Sequence, residues 1–505
     1  MQPKRRPESA TVQRNSAIIV AASFLVAVGV FLFVSKSSPL QDASEEQVRP
    51  LIRTGSKRHQ SNNNDAVVAP HSAHDVTSAG NDDVLPLIAE VREHLQSVRN
   101  RMQDRPGAPQ VHTPLSPNSA QHLMMNQHLP IGGHNNGGEE VEDAHSTIFV
   151  SIAAFRDVEC GPSLEDMFRK AKYPHRIFAG IVDQREPGEF NLCIPQSFRD
   201  CQNQPLNSSW AAAASSSDHN NNKDKTSAET WNSTKSTFCP MDNVRTRHTL
   251  PNEARGPTFG RFVAQLMYQG EQYYMMIDSH MRFVERWDVR LLSMYAKMPT
   301  RGVISHYPSG FEPGFVLESN HDIMFMCYAH FYDGVGILRN GAKNVRNRQK
   351  RPVLQPFTAA GFLFGHSDYI FDVPFDPWLD YLFDGEEILY TVRLWTSGWD
   401  SYLPSHDIMY HFYGRPKAPK VWGTTNQWVA IQRVSQRRVL HMLKMTKPNS
   451  TIPVVDPSTE TETRIFNELE TYGLGSVRRL EDFWPFAHVD PIKRTSDRGF
   501  CDRAN

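Results

Sequence analysis

Read from the amino end, hydrophobic against polar, the chain first offers AIIVAASFLVAVGVFLFV at 17–34, an apolar run without a charge behind Lys4, Arg5, Arg6 and Arg14. About 20 apolar residues cross a bilayer and basic flanks stay cytosolic. The pattern predicts a transmembrane signal anchor, with 1–16 as a cytosolic tail and everything after it lumenal. A cleaved signal fits less well, since its apolar core runs only to roughly 7–15 residues and no small-x-small site follows. Residues 35–145 are polar and rich in Ser, Asn, His, Pro and Gly, a composition that cannot bury a core and reads as a stem. One island interrupts it. In VLPLIAEVREHLQSVRNRM (84–102), Ile88, Val91, Leu95, Val98 and Met102 recur at steps of three and four. This is either the seam of a short parallel coiled coil that makes the stem a homodimer, or a lone amphipathic turn or two.

Dense patterning starts at 146. STIFVSIAAF (146–155) has the β-branched and aromatic character of a buried strand, and PSLEDMFRKAKYP (162–174) has helical spacing. RIFAGIVDQ (176–184) is a second apolar strand. Strand, helix and strand in succession predict a βαβ unit, hence an α/β fold built on a parallel sheet. Ligands of such sheets sit beyond the carboxyl ends of the strands, where Arg156, Asp157, Asp183 and Gln184 fall. Residues 202–237 are a polar, low-complexity insertion, and ARGPTFGRFVAQLMYQGE (254–271) predicts a helix that feeds the strand YYMMID. The domain runs over 146–420, with 421–505 as its C-terminal extension.

A formal net charge of −1 on 505 residues, with basic residues scattered, argues against a nucleic-acid partner. Two features suit an oxidising lumen. Asn207, Asn232 and Asn449 head glycosylation sequons, and the six cysteines at 160, 193, 201, 239, 327 and 501 suffice for three disulfides in any of about 15 pairings.

The chemistry gathers in two places. In DSH (278–280), residues i and i+2 of an extended segment project together, so Asp278 and His280 share a face while Ser279 points away. A carboxylate beside an imidazole suits Mn²⁺ or a related divalent ion; the plainer role is a structural Asp at a strand end. Farther on, an acidic Gly-Glu-Glu opens a helix at Glu386 and Glu387. Carboxylates are favourable at a helix N-terminus as caps, and one of them is also placed to accept from a sugar hydroxyl or amide. DIMYHFYGRP (407–416) sets His411 after an apolar run, a third metal ligand, with Arg415 as a cation for a diphosphate. Asp400 is a secondary candidate as a catalytic base, and Trp395 and Trp399 are candidates for sugar stacking or for the core.

Six ordered stretches carry a family resemblance: IFVSIAAFRDVEC, KAKYPHRIFAGIVDQ, ARGPTFGRFVAQLMYQGEQYYMMIDSHMRFVERWD, AAGFLF, VPFDP with LFDGEEILYTVRLWTSGWD, and HFYGRP. The run from 146 to about 416 resembles the polypeptide alpha-N-acetylglucosaminyltransferases, and more distantly the mucin-type polypeptide GalNAc-transferases. The resemblance implies a GT-A fold, UDP-GlcNAc as donor, a divalent cation such as Mn²⁺, and Ser, Thr or hydroxyproline hydroxyls of a polypeptide as acceptor. It places Asp278 and His280 on the metal motif and His411 at the third ligand. Glu386 and Glu387 fall on the donor-sugar segment, and Arg156, Asp157 and Asp183 near the uridine pocket. Arg261 falls on a helix position facing the diphosphate, and the step from His411 to Arg415 differs by one residue from the relatives. Residues 420–505 show neither the length nor the cysteine pattern of the relatives' lectin domain. The implied protein is a single-pass type II Golgi membrane enzyme initiating O-glycosylation. The competing classes are a metal-dependent phosphoester hydrolase and an inactive membrane-tethered sugar- or peptide-binding protein. The sequence lacks the HExxH, GxSxG and dense Asp/His motifs that the hydrolase class would lead one to look for.

Overall fold

The computed structural model describes residues 84–103, 146–190, 192–203, 238–312, 322–331, 336–346, 351–445 and 464–501. The apolar run at 17–34, most of the stem, the insertion from 204 to 237 and the three sequons lie outside these residues. Among the described residues no helix is long and apolar enough to cross a membrane.

The island in the stem is a helix, α1 (Leu85–Gln103), and its stripe is spent within the chain. Ile88, Val91, Leu95 and Val98 are all buried, Val98 completely. The helix is fastened to the body by polar contacts on both flanks. His94 Nε2 donates to the Tyr268 carbonyl at 2.6 Å, the Tyr268 hydroxyl donates to Met102 Sδ, and Arg247 pairs with Glu90 while Arg92 pairs with Glu468. A seam already covered by its own chain cannot face a second copy, so the expected stem dimer through these residues is corrected. Burial on the order of 1.5–3 kcal/mol per aliphatic side chain explains why a helix with only about two heptads docks rather than standing alone.

The βαβ unit forms as β1 (Ile148–Phe155), α2 (Cys160–Lys170) and β2 (Ile177–Gln184), the strands parallel and in register from Ile148 opposite Ile177 to Phe155 opposite Gln184. After α3 (Gln196–Asn203), β3 (Val244–Thr249) adds parallel to β2. The helix expected over 254–271 is shorter: α4 covers Pro257–Ala264, tightens into a 3₁₀ turn at Gln265–Met267 and gives way at Gly270, whose φ is +104°. β4 (Tyr273–Asp278) then pairs parallel with β1. There follow β5 (Met281–Phe283), α5 (Trp287–Ala296), β6 (Gly302–Ser305), β7 (Ser309–Gly310) and a hairpin of β8 (Asp322–Phe331) and β9 (Leu338–Arg346). The chain closes with β10 (Val353–Gln355), β11 (Phe362–His366), α6 (Glu386–Thr396), β12 (Asp400–Leu403), β13 (Met409–His411), α7 (Trp428–Met442) and α8 (Leu480–Phe486).

The large sheet is mixed, with order β10-β12-β6-β11-β4-β1-β2-β3. Only β10 and β11 run against the others. A smaller sheet, β5-β13-β7, stands beyond the end of β4. One core cluster lies between the large sheet, α2 and α5; a second joins the hairpin and α6 to α7 and α8 through Val439, Leu440, Phe483 and Phe486. All six cysteines are paired, as 160–193, 201–239 and 327–501, the last tying β8 to the far end of the chain.

Candidate functional site

β4 delivers Asp278 as its last residue, at the carboxyl end of a central strand. The chain bends through Ser279 and His280 before re-entering a sheet as β5. β13 lies antiparallel on β5 with His411 opposite Met281, and the Phe412 N–H donates to the His280 carbonyl at 3.0 Å. This pairing brings two distant imidazoles together, 4.5 Å between ring centroids and edge to face. Asp278, His280 and His411 thereby offer ligand atoms that all lie within 4.8 Å of one another. Gly361 passes so near that a Cβ there would stand 3.0 Å from Asp278 Oδ2, so any larger residue would press on the carboxylate.

Asp157 organises the group from behind. Its Oδ2 accepts from His280 Nδ1 at 2.8 Å, from the Ser279 hydroxyl at 2.5 Å and from Arg415 Nη1 at 2.9 Å. Burial pushes its carboxyl up, but the His280 hydrogen bond and charge, Arg415 and Ser279 outweigh it and hold it down at about 2. An ionised carboxylate only accepts, so His280 carries its proton on Nδ1 and presents a lone pair on Nε2, where Arg415 Nη2 donates at 2.7 Å. One expectation changes here. Ser279 does not point away: in the bend after β4 the two-residue alternation of a strand no longer holds, and both 279 and 280 reach Asp157.

The group fits a divalent ion on its own chemistry. Two imidazoles and a carboxylate form a mixed nitrogen and oxygen donor set suited to a divalent transition metal, and His411 Nδ1 is buried without a hydrogen-bond partner among the described residues. Burial, relieved by Asp278, lowers the His411 pKa and so favours the neutral, ligating ring. Burial opposes ionisation of Asp278, yet the His411 hydrogen bond and the Arg261 charge keep it well below the usual carboxylate range.

A second layer of carboxylates lies at the start of α6. Gly385 takes a φ of +110° ahead of the helix and leaves Glu386 and Glu387 as its first residues. Glu386 is buried and ion-paired to Arg261 Nη1, while Arg261 Nη2 holds Asp278 Oδ1 at 3.1 Å. The guanidinium expected to face a diphosphate is therefore divided between two carboxylates. Glu387 accepts from the Tyr307 hydroxyl at 2.5 Å and from the Ala360 N–H at 3.0 Å. Burial raises its pKa to about 7 against those two donors, with the Glu386 charge adding to the rise.

Other expected residues stand apart. Asp400 begins β12 opposite Gly302, the end of the sheet away from Asp278, and is fully buried between Arg478 Nη1 at 2.7 Å and the Thr300 hydroxyl at 2.7 Å. That position removes it from the catalytic set: it is the anion of an internal ion pair. Arg156 and Asp183 do lie at the carboxyl ends of β1 and β2, but each has a local partner, Glu189 at 2.5 Å and Arg185 at 2.8 Å. Trp395 packs on Phe486, and Trp399 lies under Arg301, so both belong to the interior.

Sequence reasoning passed over several groups. Tyr307 orients Glu387, and Tyr413 covers His411 with ring centroids 4.0 Å apart. His306 and Asp407 approach to 3.4 Å in full burial beside β7 and β13, burial pushing the histidine down to about 3 and the carboxyl up to about 8. The aromatic density of SHYPSG and YHFYG was visible, but no spacing rule ties 307 to 387 or 306 to 407.

Comparison with known proteins gives a match to a family model. The model of the family described as glycosyltransferase (GlcNAc) matches residues 147–493, well over half of the chain. No curated protein matches. Among solved structures, GalNAc-T7 with UDP, GalNAc and Mn²⁺ is 13% identical with a TM-score of 0.36, covering 75% of this chain and 67% of that one. S. aureus TarS 1–349 in complex with UDP-GlcNAc is 10% identical with a TM-score of 0.29, covering 58% and 70%. On the extent of the family match, from the first strand of the sheet to the C-terminal helices, the chain belongs to the GlcNAc glycosyltransferase family.

Proposed function

We propose that the protein transfers GlcNAc from UDP-GlcNAc, with retention, to Ser, Thr or hydroxyproline hydroxyls of secretory polypeptides, and that it works as a type II enzyme in the Golgi lumen behind an N-terminal anchor. The observation that carries the reading is the convergence of Asp278, His280 and His411 beside buried Glu386, at the carboxyl end of the central strand of an α/β sheet. Asp278, His280 and His411 would hold the ion, which when bound supplies a Lewis acid for the charge gathering on departing UDP. Asp157 keeps His280 in the tautomer that presents Nε2. Arg415, already beside that nitrogen, is placed to take a phosphate oxygen as a second cation. Glu386 orients the donor sugar, with Glu387 next to it on the same helix start. The acceptor hydroxyl passes its proton to a donor phosphate oxygen, so the chain needs no dedicated base, in keeping with Asp400 lying elsewhere.

The test is release of UDP from a panel of nucleotide sugars by purified protein, with Mn²⁺ or a chelator, and with or without a Thr-rich peptide. The expected pattern is turnover of UDP-GlcNAc that needs both metal and peptide, and that falls at least about 100-fold in Asp278→Ala. Undiminished turnover in that variant, or phosphoester cleavage without an acceptor, overturns the reading.

A further inference from the structure

The structure assigns Arg261 the part of a positioning residue that links metal affinity to the state of the donor-sugar carboxylate, an inference that rests on the reading above. Arg261 projects from α4 and is 4% exposed. Its two terminal nitrogens are committed to two different carboxylates: Nη1 to Glu386 Oε1 and Nη2 to Asp278 Oδ1 at 3.1 Å. Asp278 is thus gripped through one oxygen by the arginine and turned with the other, Oδ2, toward His411 Nε2 at 3.3 Å. The planar fork of a guanidinium spans two acceptors at once in fixed directions, which a lysine ammonium cannot do. Burial sets a further condition. Glu386 is pushed up by burial and brought back by Arg261, so each carboxylate depends on the share of the guanidinium it receives.

The consequence is a competition. When Glu386 turns its charge to a sugar hydroxyl, its hold on Arg261 weakens, and Arg261 leans on Asp278 and competes with the ion for that carboxylate. When Glu386 keeps the arginine, Asp278 is free to grip the ion. Arg261 makes the metal ligand and the sugar-reading residue one unit.

A double-mutant cycle on Mn²⁺ binding, followed by the electron paramagnetic resonance of the free ion, tests this without reference to turnover. Glu386→Gln does not alter any proposed metal ligand, yet it should weaken Mn²⁺ binding about tenfold in the wild-type background, within the coupling range of residues that share one network. In the Arg261→Lys background the same change should cost less than about twofold, because the bridge is already broken. A loss of equal size in both backgrounds would reduce the effect to plain charge removal and overturn the inference while leaving the transferase reading intact. Thermal melting of all four proteins identifies misfolding, and Arg261→Lys retains the positive charge that the two buried carboxylates need. A wild-type protein that binds no Mn²⁺ would sink the metal reading and this inference with it.

Discussion

Asp157 shows how much of the site depends on one side chain behind the three candidate metal ligands. It alone collects His280, Ser279 and Arg415 on a single oxygen, so Asp157→Asn removes the charge that fixes the imidazole and anchors the arginine. Loss of such a partner behind a ligand typically costs 10–100-fold in metal affinity. The same loss is expected here, read by titration with Mn²⁺ at a temperature where the variant is still folded; unchanged affinity would show His280 to be oriented without it. Glu387 gives the site a pH signature of the opposite sign. Its carboxyl stands at about 7 in the folded chain, against about 4.3 for an unfolded glutamate. Between those values the folded state binds more protons, so stability falls as pH rises and levels off above about 7. Ionising the residue costs on the order of 3–4 kcal/mol at most. Glu387→Gln should flatten that part of the profile and raise stability at pH 8 relative to pH 5, measured by urea unfolding at both. Parallel wild-type and variant profiles would remove Glu387 from the account.

At the scale of elements, α1 turns a pattern that suggests oligomerisation into an internal strap. Val91 and Val98 are buried at 1% and 0% exposure, so Val91→Asp places an unpaired charge in an apolar contact. A loss of roughly 3 kcal/mol or more is expected, seen as a lower melting temperature, with no change in sedimentation because the stripe faces its own chain. A stripe recurring at three and four residues states that a helix will bury that face; it does not state against what, since the partner surface around Tyr268 is more than 160 positions away in the chain. The same limit runs through the sheet. The strands at 148–155, 177–184 and 273–278 were legible because apolar runs bounded by polar residues are a local signal, and the βαβ order made them parallel. The bend at Ser279–His280 was not, since it is imposed by pairing of β5 with β13, residues 409–411. Asp278, His280 and His411 could be named from residue type and order, whereas Asp157 as their organiser and Tyr307 as the partner of Glu387 depend on contacts across long stretches of chain.

For the molecule as a whole, the C-terminal segment acts as a buttress for the site from behind. α6 carries Glu386 and Glu387 on its first turn, while its other end and the start of β12 are held by residues from beyond 464. Val477 and Arg478 N–H groups donate to the Thr396 carbonyl, Arg393 Nε donates to the Gly473 carbonyl, and Arg478 pairs with Asp400 in full burial. Asp400 therefore belongs to the account of stability, and a substitution there separates the two roles that its sequence context left open. Asp400→Asn leaves the Arg478 guanidinium in the interior without its anion; breaking a buried pair from one side costs about 3–5 kcal/mol. The melting temperature should drop by roughly 5–10 °C. At a temperature where the variant is still folded, kcat and the KM for the proposed donor, UDP-GlcNAc, should stay within about twofold of wild type, since the residue lies at the end of the sheet remote from Asp278. A proton-accepting Asp400 would give the reverse: a large fall in kcat, a pH profile stripped of its acidic limb, and little change in melting. Arg478→Met sharpens the comparison, because it strands the same carboxylate without altering it. If both variants lose stability and keep turnover, the pair is a clamp between the sheet and the C-terminal segment; if only Asp400→Asn loses turnover, the carboxylate has a chemical part that its burial conceals.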